Sequence, residues 1–169
     1  MEILKYPDPR LTARNMSVGT WTPEVAAKVE EMFKAMNKVD GVGLAAPQVG
    51  WNVKLFIMGI PNKESGETET TVVFNPTIEL FGDEKVLMEG CLSFPFIAGT
   101  IRRRSHARLI GMTPNGPIDR VVEGLSAHAV QHEMDHLNGI LFIERMTPAD
   151  RKLNAHLLKE LEDKWERRA

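Results

Sequence analysis

Apolar residues recur at helical spacing in three segments of the chain, and this pattern predicts three helices. The first covers residues 23 to about 38, with Thr22 as its N-cap. The second covers about 125–137, and the third begins after Thr147, which can cap its N-terminus. We expect the apolar stripes of the first and third helices to be buried; they are formed by Val25, Val29, Met32, Phe33 and Met36 and by Leu153, Leu157, Leu158, Leu161 and Trp165.

The central part of the chain contains short apolar segments separated by turn residues, which predicts β-strands. Gly82 and Asp83 predict one hairpin turn, residues 113–116 predict another, and residues 62–69 predict a polar loop. The predicted strands are residues 53–60, 71–74, 77–81, 85–88, 107–112 and 118–122.

The connections between these strands are too short for helical crossovers, so the sheets should be largely antiparallel. The expected fold class is therefore α+β. Mostly antiparallel β-sheets would pack around the helix at 125–137, with one N-terminal and one C-terminal helix beside them.

Composition and charge are those of an ordinary globular protein. The 169 residues are 43% hydrophobic and 26% charged, which suits one domain spanning residues 1–169. A net charge of −2 gives no general attraction to nucleic acid or to an anionic membrane, and no apolar segment approaches the ~20 residues that span a bilayer. The N-terminus lacks the layout of a signal peptide, and one cysteine forms no internal disulfide. We expect a soluble cytoplasmic protein, or an organellar one if a transit peptide was removed.

The segment at residues 131–139 contains the sequence His-Glu-x-x-His. Residues four apart lie on one face of a helix, so His132 and His136 can offer two imidazoles to one metal ion. Glu133 is then close enough to exchange protons with a water molecule there. The alternative is a pair of surface or core histidines without a ligand, and the Glu directly after the first His makes that alternative less favoured.

Catalytic metal sites of the zinc type usually take three protein ligands. Cys91, the single cysteine, is the obvious third donor and lies in the sequence Glu-Gly-Cys-Leu-Ser. The small residues at 41–48 either permit a close backbone approach or form a tight turn, and Gln48 brings an amide that can donate to an oxygen. The basic run at 102–104 is interpreted as a solvated strand end rather than a nucleic-acid patch.

Three segments, in this order and at this spacing, resemble the signature motifs of the peptide deformylase family. They are Gly-x-Gly-Leu-Ala-Ala-x-Gln at 41–48, Glu-Gly-Cys-Leu-Ser at 89–93 and Gln-His-Glu-x-Asp-His-Leu-x-Gly at 131–139. The resemblance covers the chain from Tyr6 to the helix after Thr147. It implies an enzyme that hydrolyses the formyl group from the N-terminal formylmethionine of nascent polypeptides and releases formate.

The resemblance also implies roles for individual residues. One divalent metal ion, typically Fe²⁺ with Zn²⁺, Ni²⁺ or Co²⁺ as substitutes, is bound by Cys91, His132 and His136. The catalytic groups are Glu133, which handles protons, and Gln48 with the backbone amide of Leu92, which hold the formyl oxygen. The substrate backbone is hydrogen-bonded by Gly43, and the pocket is expected to be lined by Val42, Leu125, His128 and Ala129.

His128 departs from the family pattern, in which this position tends to be apolar and to line the pocket for the methionine side chain. It is separated from His136 by about 12 Å of helix rise, so it does not share a metal with both later histidines. A histidine hydrogen-bonded at the pocket edge is the simpler interpretation, and a direct role in substrate selectivity is the alternative. The segment 94–99 also lacks the basic residue that many relatives carry after the proline.

Two functions from other classes stay open. A zincin-type metallopeptidase shares the His-Glu-x-x-His sequence, but it usually finds its third ligand downstream, where His156 lies inside a predicted helix. A non-catalytic, metal-stabilised binding module needs a fourth donor, and the sequence offers no convincing one.

Two further expectations concern the orientation of the metal ligands and a partner of the last helix. Glu89 or Asp135 can orient a metal ligand, unless it is a surface or helix-capping carboxylate. Docking of the last helix on the ribosome is compatible with a co-translational role, although the balanced charge of that helix does not require it.

Overall fold

A computed structural model describes residues 1–62 and 65–167, so Lys63 and Glu64 of the predicted polar loop lie outside the described residues. In the described part of the chain, five antiparallel strands form one sheet in the order β1-β2-β3-β4-β5. The strands are β1 (Gly43–Ala45), β2 (Leu55–Pro61), β3 (Thr68–Cys91), β4 (Phe94–Thr113) and β5 (Gly116–Glu123). The α-helices are α1 (Pro23–Asn37), α2 (Gly124–Leu137), α3 (Pro148–Leu153) and α4 (Ala155–Glu166).

This architecture confirms the α+β class and the antiparallel sheet. Helix α1 begins where its cap predicted, because the Thr22 side chain accepts a hydrogen bond from the Val25 N–H. Its apolar stripe packs on β1 and β2. None of the described helices is long and apolar enough to cross a bilayer.

Helix α2 is buried at the centre of the molecule. Its apolar face packs against the sheet through Ala127, Ala129 and Val130, which contact residues of β2 and β4 such as Phe56 and Leu109. The helix ends as predicted, with Gly139 in the left-handed conformation (φ 71°) that favours glycine. Burial of α2 also places polar residues of the helix against β3 and β4, where His132 contacts Glu89 and Gln131 contacts Arg104.

The predicted hairpin at Gly82 and Asp83 is wrong. Strand β3 continues from Thr68 to Cys91, pairing first with β2 and then with β4. Gly82 adopts φ 77° and Asn75 adopts φ 51°, and the pairing register shifts beside each of them. These residues form bulges, which bend a strand without ending it, and bulges and hairpin turns use the same residue types.

The predicted last helix is interrupted at Asn154. Its side-chain N–H groups donate to the carbonyls of Ala98 and Asp150, both at 2.9 Å, which ties the break to β4. Leu153, which the helical stripe predicted to be buried, is 74% exposed at the end of α3, whereas Leu161 of α4 is buried. The side-chain amide of Asn154 therefore occupies the buried position that was predicted for Leu153.

Candidate metal centre and active site

Three side chains from two elements converge beside the centre of α2. His132 and His136 lie one turn apart on the helix, with their Nε2 atoms 3.3 Å apart. Cys91 is the last residue of β3, and its Sγ lies 3.3 Å from His136 Nε2. The three donor atoms all lie within 4.8 Å of one another.

The residues of this cluster fit a divalent metal ion. Ligand atoms around a tetrahedral ion with bonds of about 2.0–2.3 Å stand about 3.3–3.6 Å apart. The distances from His136 Nε2 to His132 Nε2 and to Cys91 Sγ, both 3.3 Å, match this spacing. Thiolate and imidazole are suitable donors for zinc and for ferrous iron. Among the described residues, the buried Glu133 Oε2 also lacks a hydrogen-bond partner, so a polar atom next to the cluster is free to act on a further group.

Glu89 orients the first histidine of the pair. Its Oε2 lies 2.9 Å from His132 Nδ1, which directs the other ring nitrogen towards Cys91 and His136. Burial by itself raises the pKa of Glu89, but its contacts with His128, His132 and Arg103 outweigh burial and hold the pKa well below its usual range. Glu89 is therefore a carboxylate that accepts from the histidine.

Arg103 corrects the interpretation of the basic run as a solvated strand end. Its side chain is 5% exposed, and it donates to Glu89 through Nε at 2.8 Å and Nη2 at 3.0 Å. Its Nη1 donates to Asp135 at 2.6 Å, and Asp135 also binds Arg145 at 2.7 Å. Of the two predicted orienting carboxylates, Glu89 contacts a histidine of the cluster, whereas Asp135 contacts the two arginines.

Glu133 points into the site from the buried face of α2. It is 3% exposed, and a Cβ added to Gly43 would collide with its Oε1, so the glycine on β1 permits this approach. Burial raises the pKa of the Glu133 carboxyl to about 7, against the opposing effects of His132 and Arg103. A carboxyl group with that pKa exchanges protons readily near neutral pH.

The two histidines have pKa values shifted in opposite directions. Burial lowers the pKa of His132, but its hydrogen bonds with Cys91 and Glu89 outweigh burial and raise the pKa well above its usual value. Burial and the neighbouring His132 lower the pKa of His136 well below its usual value. His136 is therefore held in the neutral form that binds a metal.

Gln48 and Leu92 lie on the other side of the cluster. Gln48 Oε1 accepts from the Ala45 N–H at 2.9 Å, which leaves its Nε2 to donate to Ser93 Oγ at 3.1 Å and to face Cys91 Sγ at 3.6 Å. Leu92 and Ser93 form the two-residue connection between β3 and β4. The sequence assigns no role to Ser93, and the structure shows that its hydroxyl holds the Gln48 amide.

A cavity of about 590 Å³ opens beside the cluster. Every predicted site residue except the buried His136 lines it; these are Val42, Gly43, Gln48, Cys91, Leu92, Leu125, His128, Ala129, His132 and Glu133. Its rim carries Phe96, which is 94% exposed and adopts φ 65°. Lys5 also lines the cavity, although no motif of the sequence indicated it.

His128 lies in the cavity wall and is 7% exposed. Its Nε2 is 2.8 Å from Glu89 Oε1, but the contact lacks the alignment of a hydrogen bond. The structure thus places His128 against the carboxylate that orients His132, and both interpretations of His128 stay predictions.

The chain is similar to known proteins along most of its length. The sequence profile of the polypeptide deformylase family matches residues 1–152. Peptide deformylase 1B, chloroplastic, of Oryza sativa subsp. japonica is 40% identical over 168 residues, 98% of this chain and 62% of the rice protein. The peptide deformylase of Desulfotalea psychrophila is 33% identical over 166 residues, 98% of this chain and 96% of that protein.

Solved structures agree with the sequence comparison. A crystal structure of Arabidopsis thaliana peptide deformylase 1B in complex with an inhibitor matches with a TM-score of 0.92 and 38% identity. The match covers 100% of this chain and 94% of that chain. The chain spans about three fifths of the length of the plant relatives that it matches in sequence.

Proposed function

Because this chain belongs to the polypeptide deformylase family, we propose that it is a metal-dependent hydrolase that removes the formyl group from the N-terminal formylmethionine of nascent polypeptides. The observation that carries the proposal is the convergence of Cys91, His132 and His136 on one point beside Glu133. Three protein donors leave a coordination position open, as in catalytic metal centres. The products are formate and a peptide with a free N-terminal amine.

We propose Fe²⁺ as the native ion, with Zn²⁺, Ni²⁺ or Co²⁺ as substitutes. The Cys91, His132 and His136 donor set supports any of these ions, and the affinity order alone does not choose between them. When bound, the ion supplies Lewis acidity and lowers the pKa of water towards ~7.

Glu133 is proposed to carry the proton that the reaction moves. Its buried carboxylate accepts a proton from the attacking water and then donates it to the nitrogen of the leaving amine. A pKa near 7 suits both steps, because the group gives and takes a proton with little cost at neutral pH.

Gln48 and Leu92 are proposed to bind the formyl oxygen, which becomes negatively charged as the water attacks. The Gln48 amide is held by Ala45 and Ser93, so it is oriented before the substrate arrives. Donors that are fixed in advance stabilise developing charge because they need no rearrangement during the reaction. Gly43 is proposed to hydrogen-bond the substrate backbone, and its position on the edge strand β1 at the cavity supports this role.

The two alternative functions are not favoured. His156, the further histidine that a zincin would recruit, is an exposed residue of α4 and not part of the donor cluster. Within the described residues the cluster has three members, whereas a structural metal site usually closes with four ligands.

We further propose that this chain works where translation starts with formylmethionine, in a bacterial-type cytoplasm or an organelle. The rice and tomato relatives are named chloroplastic, which supports a role at such a site of synthesis. Docking of α4 on the ribosome stays a hypothesis. The balanced charge of α4 neither requires nor opposes it.

Metal removal is the direct test of the proposed function. The protein purified without oxygen and loaded with one equivalent of Fe²⁺ is expected to release formate from formyl-Met-Ala-Ser. Chelation of the metal should reduce the rate by at least about 10²-fold, because the ion supplies both the nucleophile and charge stabilisation. Adding Fe²⁺, Ni²⁺ or Co²⁺ back should restore it. Absence of formate from the loaded protein contradicts the proposed function, and full activity after chelation contradicts its metal dependence.

Replacement of His128 by Ile is expected to change selectivity for the first residue of the substrate. The ratio of kcat/KM values between formyl-Met and formyl-Leu peptides should shift by about tenfold, because one wall of a pocket changes its polarity and shape. The matched control is His156→Ile on the exposed face of α4, which should leave the ratio unchanged. An unchanged preference across formyl-Met, formyl-Leu and formyl-Phe peptides in the His128 variant contradicts the prediction.

A further inference from the structure

Residues 4–6, here called the N-terminal strap, lie across the side of the site that carries Gln48 and Leu92. The Leu4 N–H donates to the Gln48 carbonyl at 2.7 Å. The Lys5 ammonium donates to the Leu92 carbonyl at 2.6 Å, and the Tyr6 N–H donates to the Ser93 carbonyl at 3.0 Å. Three consecutive residues thus bind the backbone of both segments that are proposed to hold the formyl oxygen.

The strap is itself fixed to the core at Tyr6. The phenol ring of Tyr6 stacks on Phe94 with centroids 5.0 Å apart, and its hydroxyl donates to Glu162 of α4 at 2.8 Å. Phe94 packs in turn on Phe142 at 5.0 Å. The strap therefore links the aromatic cluster of Tyr6, Phe94 and Phe142 to the loop between β3 and β4.

That connection has two residues, and the strap holds both of their carbonyls. In the described part of the chain, the Leu92 carbonyl accepts from the side chain of Lys5, whereas the Ser93 carbonyl accepts from the backbone of Tyr6. A charged donor at 2.6 Å makes a stronger hydrogen bond than a neutral one, and half-burial of Lys5 protects it from competition by water. The orientation of Leu92 consequently depends on one side chain that is distant in sequence.

We propose that Lys5 is a positioning residue that holds Leu92 so that its N–H points at the formyl oxygen. This inference rests on the proposed function. The Leu92 carbonyl belongs to the peptide group that follows the residue, and its N–H belongs to the group that precedes it. Because Cys91 and Phe94 pair across the two-residue connection, fixing the carbonyl limits how Leu92 can turn as a whole, and so limits the direction of its N–H.

The kinetic test compares Lys5→Met with Lys54→Met, in which the same change removes an exposed lysine outside the cavity. Lys5→Met is expected to lower kcat for formyl-Met-Ala-Ser about tenfold, a part of the ~10²–10³ that loss of one oxyanion donor costs. KM, metal content and the midpoint of thermal unfolding should stay close to those of the wild type. Lys5→Arg, which keeps a charged donor, should fall between Lys5→Met and the wild type.

A second readout is independent of turnover. In the zinc-loaded protein, the NMR order parameter of the Leu92 N–H is expected to fall from about 0.85 towards 0.6 in Lys5→Met and to stay unchanged in Lys54→Met. If the wild type releases no formate, the proposed function fails and this measurement alone decides the role of Lys5.

Two results overturn the inference. One is a Lys5→Met protein whose Leu92 order parameter equals that of the wild type. The other is a loss of kcat that is matched by a loss of bound metal or of thermal stability, since this shows a general structural role instead of control of one donor.

Discussion

Glu133→Gln is expected to lower kcat for formyl-Met-Ala-Ser by about 10³–10⁴-fold while the protein still binds one metal ion. Proton transfer by a positioned side chain typically contributes 10²–10⁴-fold, and Glu133 is proposed to act twice, on the water and on the leaving amine. Its carboxyl is 3% exposed with an unpartnered Oε2, whereas Glu89, the other carboxylate beside the cluster, is bound by Arg103 and His132.

The measurement is formate release under saturating substrate, with bound metal quantified in the same sample. The substitution keeps the size of the side chain, so the approach of Gly43 to residue 133 is preserved. Glu30→Gln, an exposed residue of α1, is the matched control and should retain full activity. A Glu133→Gln protein that keeps more than about a tenth of the wild-type kcat with its metal bound would show that another group carries the proton.

Arg103→Met is expected to destabilise the protein by about 3–5 kcal/mol, because it leaves the buried Glu89 without its arginine partner and Asp135 with Arg145 alone. Arg103 is bidentate to Glu89 and also binds Asp135, and all three side chains are largely removed from water. Since about 1 kcal/mol corresponds to 2–4 °C for a chain of this size, the midpoint of thermal unfolding should fall by roughly 10 °C.

The same substitution should weaken metal binding. Glu89 orients His132, and loss of a group that supports a ligand typically costs 10–100-fold in metal affinity. Competition with a chelator measures this change, and thermal unfolding of the chelated protein measures stability separately. The two readouts distinguish damage to the metal site from damage to the fold.

Arg102→Met is the matched control, because it makes the same change one residue earlier. The Arg102 side chain is 70% exposed and pairs with a half-exposed Glu84 at 2.9 Å. Exposed ion pairs contribute about 0–1 kcal/mol, so this variant should unfold within a few degrees of the wild type. Equal destabilisation by the two substitutions would contradict the assignment of Arg103 as the buried cation.

The residues proposed to bind the metal were identified from sequence because two of them share one helical turn. Residues four apart on a helix are neighbours independently of the tertiary fold. A correct helix prediction was therefore enough to bring His132 and His136 together. The three motifs likewise indicated the family, and the comparison with known proteins confirms it. Local spacing also predicted α1, with its Thr22 cap, and the hairpin between β4 and β5.

Only the tertiary structure showed that Arg103 is buried, whereas Arg102 and Arg104 are exposed. The three arginines are adjacent and chemically identical, and local pattern offers no way to choose among them. Alternation along β4 turns Arg103 inward, where its partners come from positions 14 and 32 residues away. The same reason applies to Gly82, a turn residue that becomes a bulge because both flanking segments pair with β4.

The sequence by itself determined the family, the α+β class and the candidate donors, because each depends on residue types at short, regular spacing. The tertiary structure decided which charges are buried, where strands end and how Lys5 reaches Leu92 across 87 positions. These features depend on contacts between distant segments, and their energies come from burial and from paired hydrogen bonds that exist only once the chain is folded.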